Sequence, residues 1–236
     1  MEIYVDFHIH SALSPCGDND MTPNNIINMA KLKGLDAIAI TDHNSCENVA
    51  ACVEVGIKNN IIVIPGMELQ TKEDVHSLCL FKSVEDAMEF QNYVYSNLTY
   101  KLNKHDVFGQ QLICDINDEI VGINERMLLL SSEISFDDAF YSVKELGGVF
   151  IPAHVDRDSY SVITSLGFIP DYLGIKCLEY NSEQKLRNLI SSGIIKDNYK
   201  FIQSSDAHYL QDILESVFSI EVSEYSVKSI LNYLNN

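Results

Sequence analysis

The sequence predicts an α/β fold of barrel type, and three observations carry that prediction. Apolar β-like runs alternate with helical stretches, histidines or carboxylates follow or end six of those runs, and 236 residues with 46% hydrophobic content can bury one substantial core. In a β/α barrel the active face lies at the C-terminal ends of the strands, so ligand-type residues recurring there describe a single mouth. With no internal repeat or low-complexity segment, the chain reads as one domain over 1–236.

Ile3–Phe7 is the first strand. Thr22-Pro23 opens a helix over Asn24–Lys33, which Gly34 stops. Ala37–Ile40 and Ile61–Ile64 flank a helix over Glu47–Lys58; rich in Ile and Val, they fit parallel strands buried on both faces. Val75–Phe81 continues the series as a strand and Val84–Ser96 as a helix, with Ser83 and Asp86 supplying its capping signal. From about 99 to 133 the alternation breaks. Gln110–Asp115 and Glu119–Ile123 flank Ile116-Asn117-Asp118 as a β-hairpin, an excursion from the barrel that either covers the mouth or meets a second subunit. Helix Phe136–Leu146, capped by Ser135 and ended by Gly147-Gly148, resumes the pattern before strand Val149–Ile151. Tyr172–Leu178 leads as a strand to Glu179, a helix covers about 182–192, Phe201–Gln203 leads to Ser205-Asp206, and a final β-α unit spans about 216–234.

The formal charge of −18 argues against wide contact with a nucleic-acid backbone, which relies on clustered Lys and Arg. It leaves a phosphorylated small molecule open, because bound cations would reverse the field inside a pocket. No apolar run approaches the roughly 18 residues of a membrane span, and the first residues lack a basic segment with a cleavage signal. A soluble, cytoplasmic protein is the expectation. The six cysteines show no CxxC spacing and are expected reduced, with Cys16 filling a loop.

Four clusters carry the chemistry: Asp6-Phe7-His8-Ile9-His10, Thr41-Asp42-His43-Asn44, Gly66-Met67-Glu68 and Ser205-Asp206-Ala207-His208. A strand sends alternate side chains to one side, so His8 and His10 can point together into a mouth, as can Asp206 and His208. Asp6 and Asp42 stand where they could orient imidazoles. His105 lies in the polar excursion and reads as a surface residue. Arg157, three residues after His154, is one of very few cations near the mouth, and its fork suits a phosphoryl group. Glu179, Tyr180 and Asn181 end the sixth strand; Glu179 and Asn181 are the further candidates for touching substrate.

These segments resemble the PHP family, named for polymerase and histidinol phosphatase, over nearly the whole chain. The resemblance implies a distorted (β/α)7 barrel and a centre of two to three divalent ions, Zn, Mn or Fe. It assigns His8, His10, Glu68 and Asp206 to the first ion, Glu68, His76 and His154 to the second, and Asp18, His43 and His208 to the third. The implied reaction is hydrolysis of a small phosphomonoester, of histidinol phosphate or nucleotide kind, by a hydroxide held between metals. Glu68, Asp206 and Arg157 would carry the catalysis. A nuclease or phosphodiesterase shares this chemistry but calls for a basic groove. A regulatory metal-binding module would show a lost ligand, and a metal-dependent amidohydrolase would be separated by its substrates.

Overall fold

The computed structural model describes Met1–Asn236. Strand β1 (Glu2–Ile9) leads to helix α1 (Pro23–Leu32). Pro23 suits the first turn, where its missing N–H would find no partner in any case, and Gly34 takes a left-handed φ of 75° just past the end. Strand β2 (Ala37–Ile40), helix α2 (Val49–Asn59) and strand β3 (Ile62–Gln70) then form a parallel β-α-β unit, paired from Ala37↔Ile62 to Ile40↔Pro65. Alternation divides β2 between two apolar layers: Ala37 and Ala39 face one, Ile38 and Ile40 the other.

The parallel series breaks at the next strand. β3 runs on through Glu68, and β4 (His76–Leu80) returns antiparallel against it, from Gly66↔Leu80 to Gln70↔His76. Residues 71–75 are too few for a parallel crossover, which takes about a dozen or more. The reversal brings the first residue of β4, rather than its last, to the mouth.

Helix α3 (Val84–Asn97) follows, then the short α4 (His105–Phe108) and the hairpin of β5 (Leu112–Cys114) and β6 (Ile120–Ile123). This excursion sits on the rim loops. Leu112 N–H donates to Ala12 O at 2.8 Å, Cys114 N–H to Asn48 Oδ1 at 2.9 Å, and Asn44 Nδ2 to Leu128 O at 2.8 Å. Gly109 (φ 96°) packs so closely that a Cβ there would lie 2.0 Å from Pro15 O, so any side chain would push the Pro15 loop away.

Helix α5 (Phe136–Glu145) leads to β7 (Val149–Pro152), antiparallel to β4, and the short α6 (Val162–Leu166) follows. The strand expected from Tyr172 begins only at β8 (Cys177–Tyr180), because Asp171–Leu173 form a 3-10 turn ended by Gly174 at φ 66°. Across helix α7 (Glu183–Ser191), β8 pairs in parallel with β9 (Lys200–Gln203). Val155 N–H to Glu179 O at 2.9 Å links β7 to β8, and His10 N–H to Ala207 O at 2.9 Å links the end of β9 back to β1. The result is a distorted barrel of β1, β2, β3, β4, β7, β8 and β9. The last predicted strand, β10 (Ser219–Glu221), instead joins the outer edge of β1 antiparallel, before helix α8 (Val227–Asn235).

Two apolar layers hold this curl. Thirty-nine buried residues lie between the strands and the outer helices, among them Ile26, Cys52, Phe90 and Phe136. Eighteen fill the other side, where Val5, Phe7 and Ile151 meet Ile230 and Leu234 of α8. A fully buried Ile or Phe stabilises by about 1.5–3 kcal/mol, which offsets the polar cluster buried above. No helix is long and apolar enough to cross a membrane.

Candidate metal centre

The barrel mouth gathers imidazoles and carboxylates from nearly every strand. The pairing of β1 with β2 slips register between Asp6 and Ile9, and His8 and His10 both come up into the mouth, fully buried. His43 follows β2, Glu68 lies in the extended part of β3, and His76 begins the reversed β4. His154 follows β7 at φ 30°, and Asp206 follows β9 at φ 55°. Such left-handed conformations cost a non-glycine residue about 1–3 kcal/mol each, a strain that packing sustains at functional sites.

Three groups of donor atoms converge: His8, His10, Glu68 and Asp206; His43, Glu68 and His76; and His10, His43 and His208. His8 Nε2 lies 3.1 Å from His10 Nε2 and 3.2 Å from Asp206 Oδ1, and His10 Nε2 lies 3.0 Å from the same oxygen. Glu68 is shared by all the surrounding rings. Its Oε1 stands 2.9 Å from His76 Nδ1, 3.1 Å from His154 Nε2 and 3.3 Å from His8 Nε2, and its Oε2 stands 2.9 Å from His43 Nδ1.

Hydrogen bonds behind the cluster determine what these atoms offer. Ser14 Oγ donates to Asp42 Oδ1 at 2.7 Å, so the 2.9 Å contact with His10 Nδ1 must be an imidazole N–H donating to Ser14. That leaves His10 Nε2 with a lone pair. On the far side of His8, Glu179 Oε1 accepts from Nδ1 at 2.9 Å. At most one proton, on His8 Nε2, is therefore available among His8 Nε2, His10 Nε2, Glu68 Oε1 and Asp206 Oδ1. Glu68 Oε2 is buried with no hydrogen-bond partner despite its neighbours. An unsatisfied buried polar group costs about 1–3 kcal/mol, whereas a cation satisfies all of these atoms at once. The donor set fits divalent ions.

The electrostatics agree. Burial works to raise the Glu68 carboxyl, but His76, His8 and His43 outweigh it and hold the group well below the usual carboxylate range. Burial likewise opposes the charged form of His8, yet Glu179, Asp206 and Glu68 hold it well above an ordinary histidine. His10 moves the other way, lowered by burial and by His208 and His43.

Several residues stand elsewhere than the sequence suggested. Asp18 is not among the three converging donor groups; its Oδ1 accepts the N–H of Asp20 at 2.8 Å in a local turn, and its own N–H donates to His208 O at 2.9 Å. Cys16, expected to fill a loop, instead places Sγ 3.1 Å from His208 Nε2. Burial alone would raise its thiol, but hydrogen bonds and charge from His208 and His43 bring it to about 6. Glu179, a candidate for touching substrate, is fully buried behind His8, and its Oε2 accepts the backbone N–H of His154 at 2.8 Å; it orients the His8 ring and fixes the main chain at His154. Asn181 spends its Nδ2 on Ser204 O at 3.0 Å, holding β8 to β9. Asp42 supports His10 through Ser14, whereas Asp6 accepts Ser205 N–H at 3.0 Å and Leu214 N–H at 3.1 Å and so pins the Asp206 loop. No sequence motif singles out Ser14; its signal is a hydroxyl four residues after a ligand-type histidine. Arg157 is partly exposed and reaches Asp206 Oδ2 at 2.6 Å. His105 lies at the surface on α4.

The PHP domain profile matches residues 6–225, and the chain belongs to the PHP domain family. An uncharacterized protein of Methanocaldococcus jannaschii is 33% identical over 77 residues, covering 29% of this chain and 45% of its own. Among solved structures, the lesion-specific endonuclease PfuEndoQ from Pyrococcus furiosus superposes with a TM-score of 0.73 at 20% identity, over 100% of this chain and 56% of that one. Endonuclease Q in complex with a 27-mer duplex bearing an abasic lesion at its active site gives 0.67 at 19%, over 98% of this chain and 56% of that one. A protein from Bifidobacterium adolescentis assigned as a metal-dependent phosphoesterase gives 0.59 at 17%, over 98% of this chain and 95% of that one. The chain thus spans about half the length of the endonuclease and of the archaeal relative.

Proposed function

We propose that the protein is a metal-dependent hydrolase of phosphate esters, holding two or three divalent ions and acting on a small phosphomonoester. The observation that carries this reading is the convergence of His8, His10, Glu68 and Asp206 with no more than one proton among their facing atoms. His8, His10, Glu68 and Asp206 would hold one ion, and Glu68 with His43 and His76 another, with His154 beside them at Glu68. Divalent ions there supply neutralisation of phosphoryl oxygens and of a leaving alkoxide, and activation of water. The chain's own contribution is preorganisation. Asp42 through Ser14, and Glu179 directly, keep His10 and His8 turned into the mouth, and Arg157 presents guanidinium N–H groups beside Asp206 to a phosphoryl oxygen.

A second reading, cleavage of a phosphodiester in nucleic acid, draws support from the likeness to endonuclease Q over the full chain. The charge of −18 opposes broad backbone contact and favours the small substrate. Assaying the purified protein with added Mn²⁺ or Zn²⁺ on phosphomonoesters, a small phosphodiester and an abasic duplex decides between them. Turnover confined to the duplex would overturn the phosphomonoester assignment, and turnover of none would overturn both.

Arg157→Ala is expected to lower phosphomonoester kcat/KM by about 10–1000-fold, or roughly 1.4–4 kcal/mol of transition-state stabilisation, with metal content unchanged. A phosphodiester, lacking the second terminal charge, should lose less. Equal losses on both substrates would make Arg157 a structural partner of Asp206, and unchanged kinetics would leave it a surface residue.

A further inference from the structure

The third group of donors, His10, His43 and His208, includes no carboxylate, and the Asp18 side chain expected to supply one turns Oδ1 to the N–H of Asp20. A different atom occupies the place. Cys16 Sγ lies 3.1 Å from His208 Nε2, and His208 presents that nitrogen because its Nδ1 is spent on Asp206 O at 2.9 Å. A carbonyl only accepts, so Nδ1 bears the proton and Nε2 is free to bind an ion. Glu68 Oε2, buried and without a hydrogen-bond partner, approaches the same His43 ring at 2.9 Å.

The backbone holds Cys16 in this position. Gly17 N–H donates to Ser14 O at 2.8 Å, and Asp18 N–H donates to His208 O at 2.9 Å, so the loop carrying the thiol is bonded directly to the loop carrying the imidazole. Gly109 of the excursion closes over Pro15 from the other side. Cys16 is also the only exposed cysteine of the six, so it stands within reach of an ion arriving from solvent.

We propose that Cys16, in place of Asp18, completes a third cation position with His43 and His208, giving the centre one thiolate ligand. This rests on the reading of the mouth as a metal centre. A thiolate favours Zn²⁺ or Co²⁺ over Mn²⁺ and Mg²⁺, whose preferred partners are carboxylate, carbonyl and water oxygens. This position should therefore retain zinc against an excess of manganese while the carboxylate-rich positions exchange.

The test is cobalt titration of the protein after chelation and dialysis, followed by absorbance. A thiolate-to-cobalt charge-transfer band in the near ultraviolet is expected in the parent protein and in Asp18→Asn, and its loss is expected in both Cys16→Ser and Cys16→Ala. In parallel, Zn²⁺ should protect Cys16 from alkylation by iodoacetamide, read by peptide mass. Cobalt binding with visible d–d bands but no charge-transfer band would overturn the thiolate assignment and leave the metal centre standing. Absence of cobalt binding altogether would overturn both. Retention of the band in the Cys16 variants would place the thiolate on another cysteine and overturn the assignment.

Discussion

Glu68→Gln is expected to lower kcat by about 1000-fold, close to 4 kcal/mol of barrier, while the barrel stays folded. A single carboxylate group, 1% exposed, lies within 3.4 Å of nitrogens on His8, His10, His43, His76 and His154. Its charge is what those rings share, since they hold it well below the ordinary carboxylate range against the opposing effect of burial. An amide of the same shape keeps one acceptor and turns an NH2 toward ring nitrogens and any bound ion, so it cannot bridge two cations. The check is kcat with metal content and circular dichroism measured on the same sample. Near-normal kcat at full metal occupancy would remove Glu68 from the bridging role. His105→Ala is the matched control, because its ring sits outside the cluster on α4 and its loss should change activity little.

Chelation should lower the midpoint of thermal unfolding by on the order of 10 °C. An ion bound only by the folded state at about 1,000 times its Kd stabilises by roughly 4 kcal/mol, and for a chain of this size each kcal/mol moves the midpoint by about 2–4 °C. Calorimetry before and after dialysis against a chelator, and again after adding Zn²⁺ back, reads the effect; an unmoved midpoint would mean that the cluster holds no ion tightly. The dependence on pH has a definite sign. Glu179, Asp206 and Glu68 keep His8 protonated well above an ordinary histidine's range despite its burial, so binding an ion there expels a proton. Affinity should therefore rise with pH through neutrality, by up to about tenfold per unit for each proton released, and zinc should be lost as the solution is acidified.

How far the sequence discloses this molecule differs from segment to segment. The caps at Ser83 and Ser135 are local chemistry, and each hydroxyl accepts the predicted N–H, from Asp86 at 3.2 Å and Asp138 at 3.1 Å. The alternation of Ala37–Ile40 likewise announces a strand buried on both faces. Direction is another matter, because a period of two is the same read either way. The sequence marks β4 as a strand, and only the short connection from Thr71 to Val75 hints that it runs backwards. That reversal explains why His76, at the start of its strand, reaches the same mouth as residues that end theirs. Within the site, residue types at strand ends pointed to the mouth, but which neighbour turns inward is decided by local turns. Asp18 turns an oxygen to Asp20, Cys16 Sγ lies beside His208, and Glu179 faces the back of His8.

The bridge that closes the barrel joins Ile9 to Ala207, two points separated by almost the entire chain. During synthesis His8 and His10 emerge well before Asp206 and His208, with strands β2 to β9 in between. The entropy of closing so long a loop must be met before any contact across it forms, which makes this seam a late event in folding. A nascent chain carries the early half of the centre through translation without its counterpart, so a complete ion cage cannot template the first strands. Metal capture would instead act as a latch on a barrel already assembled.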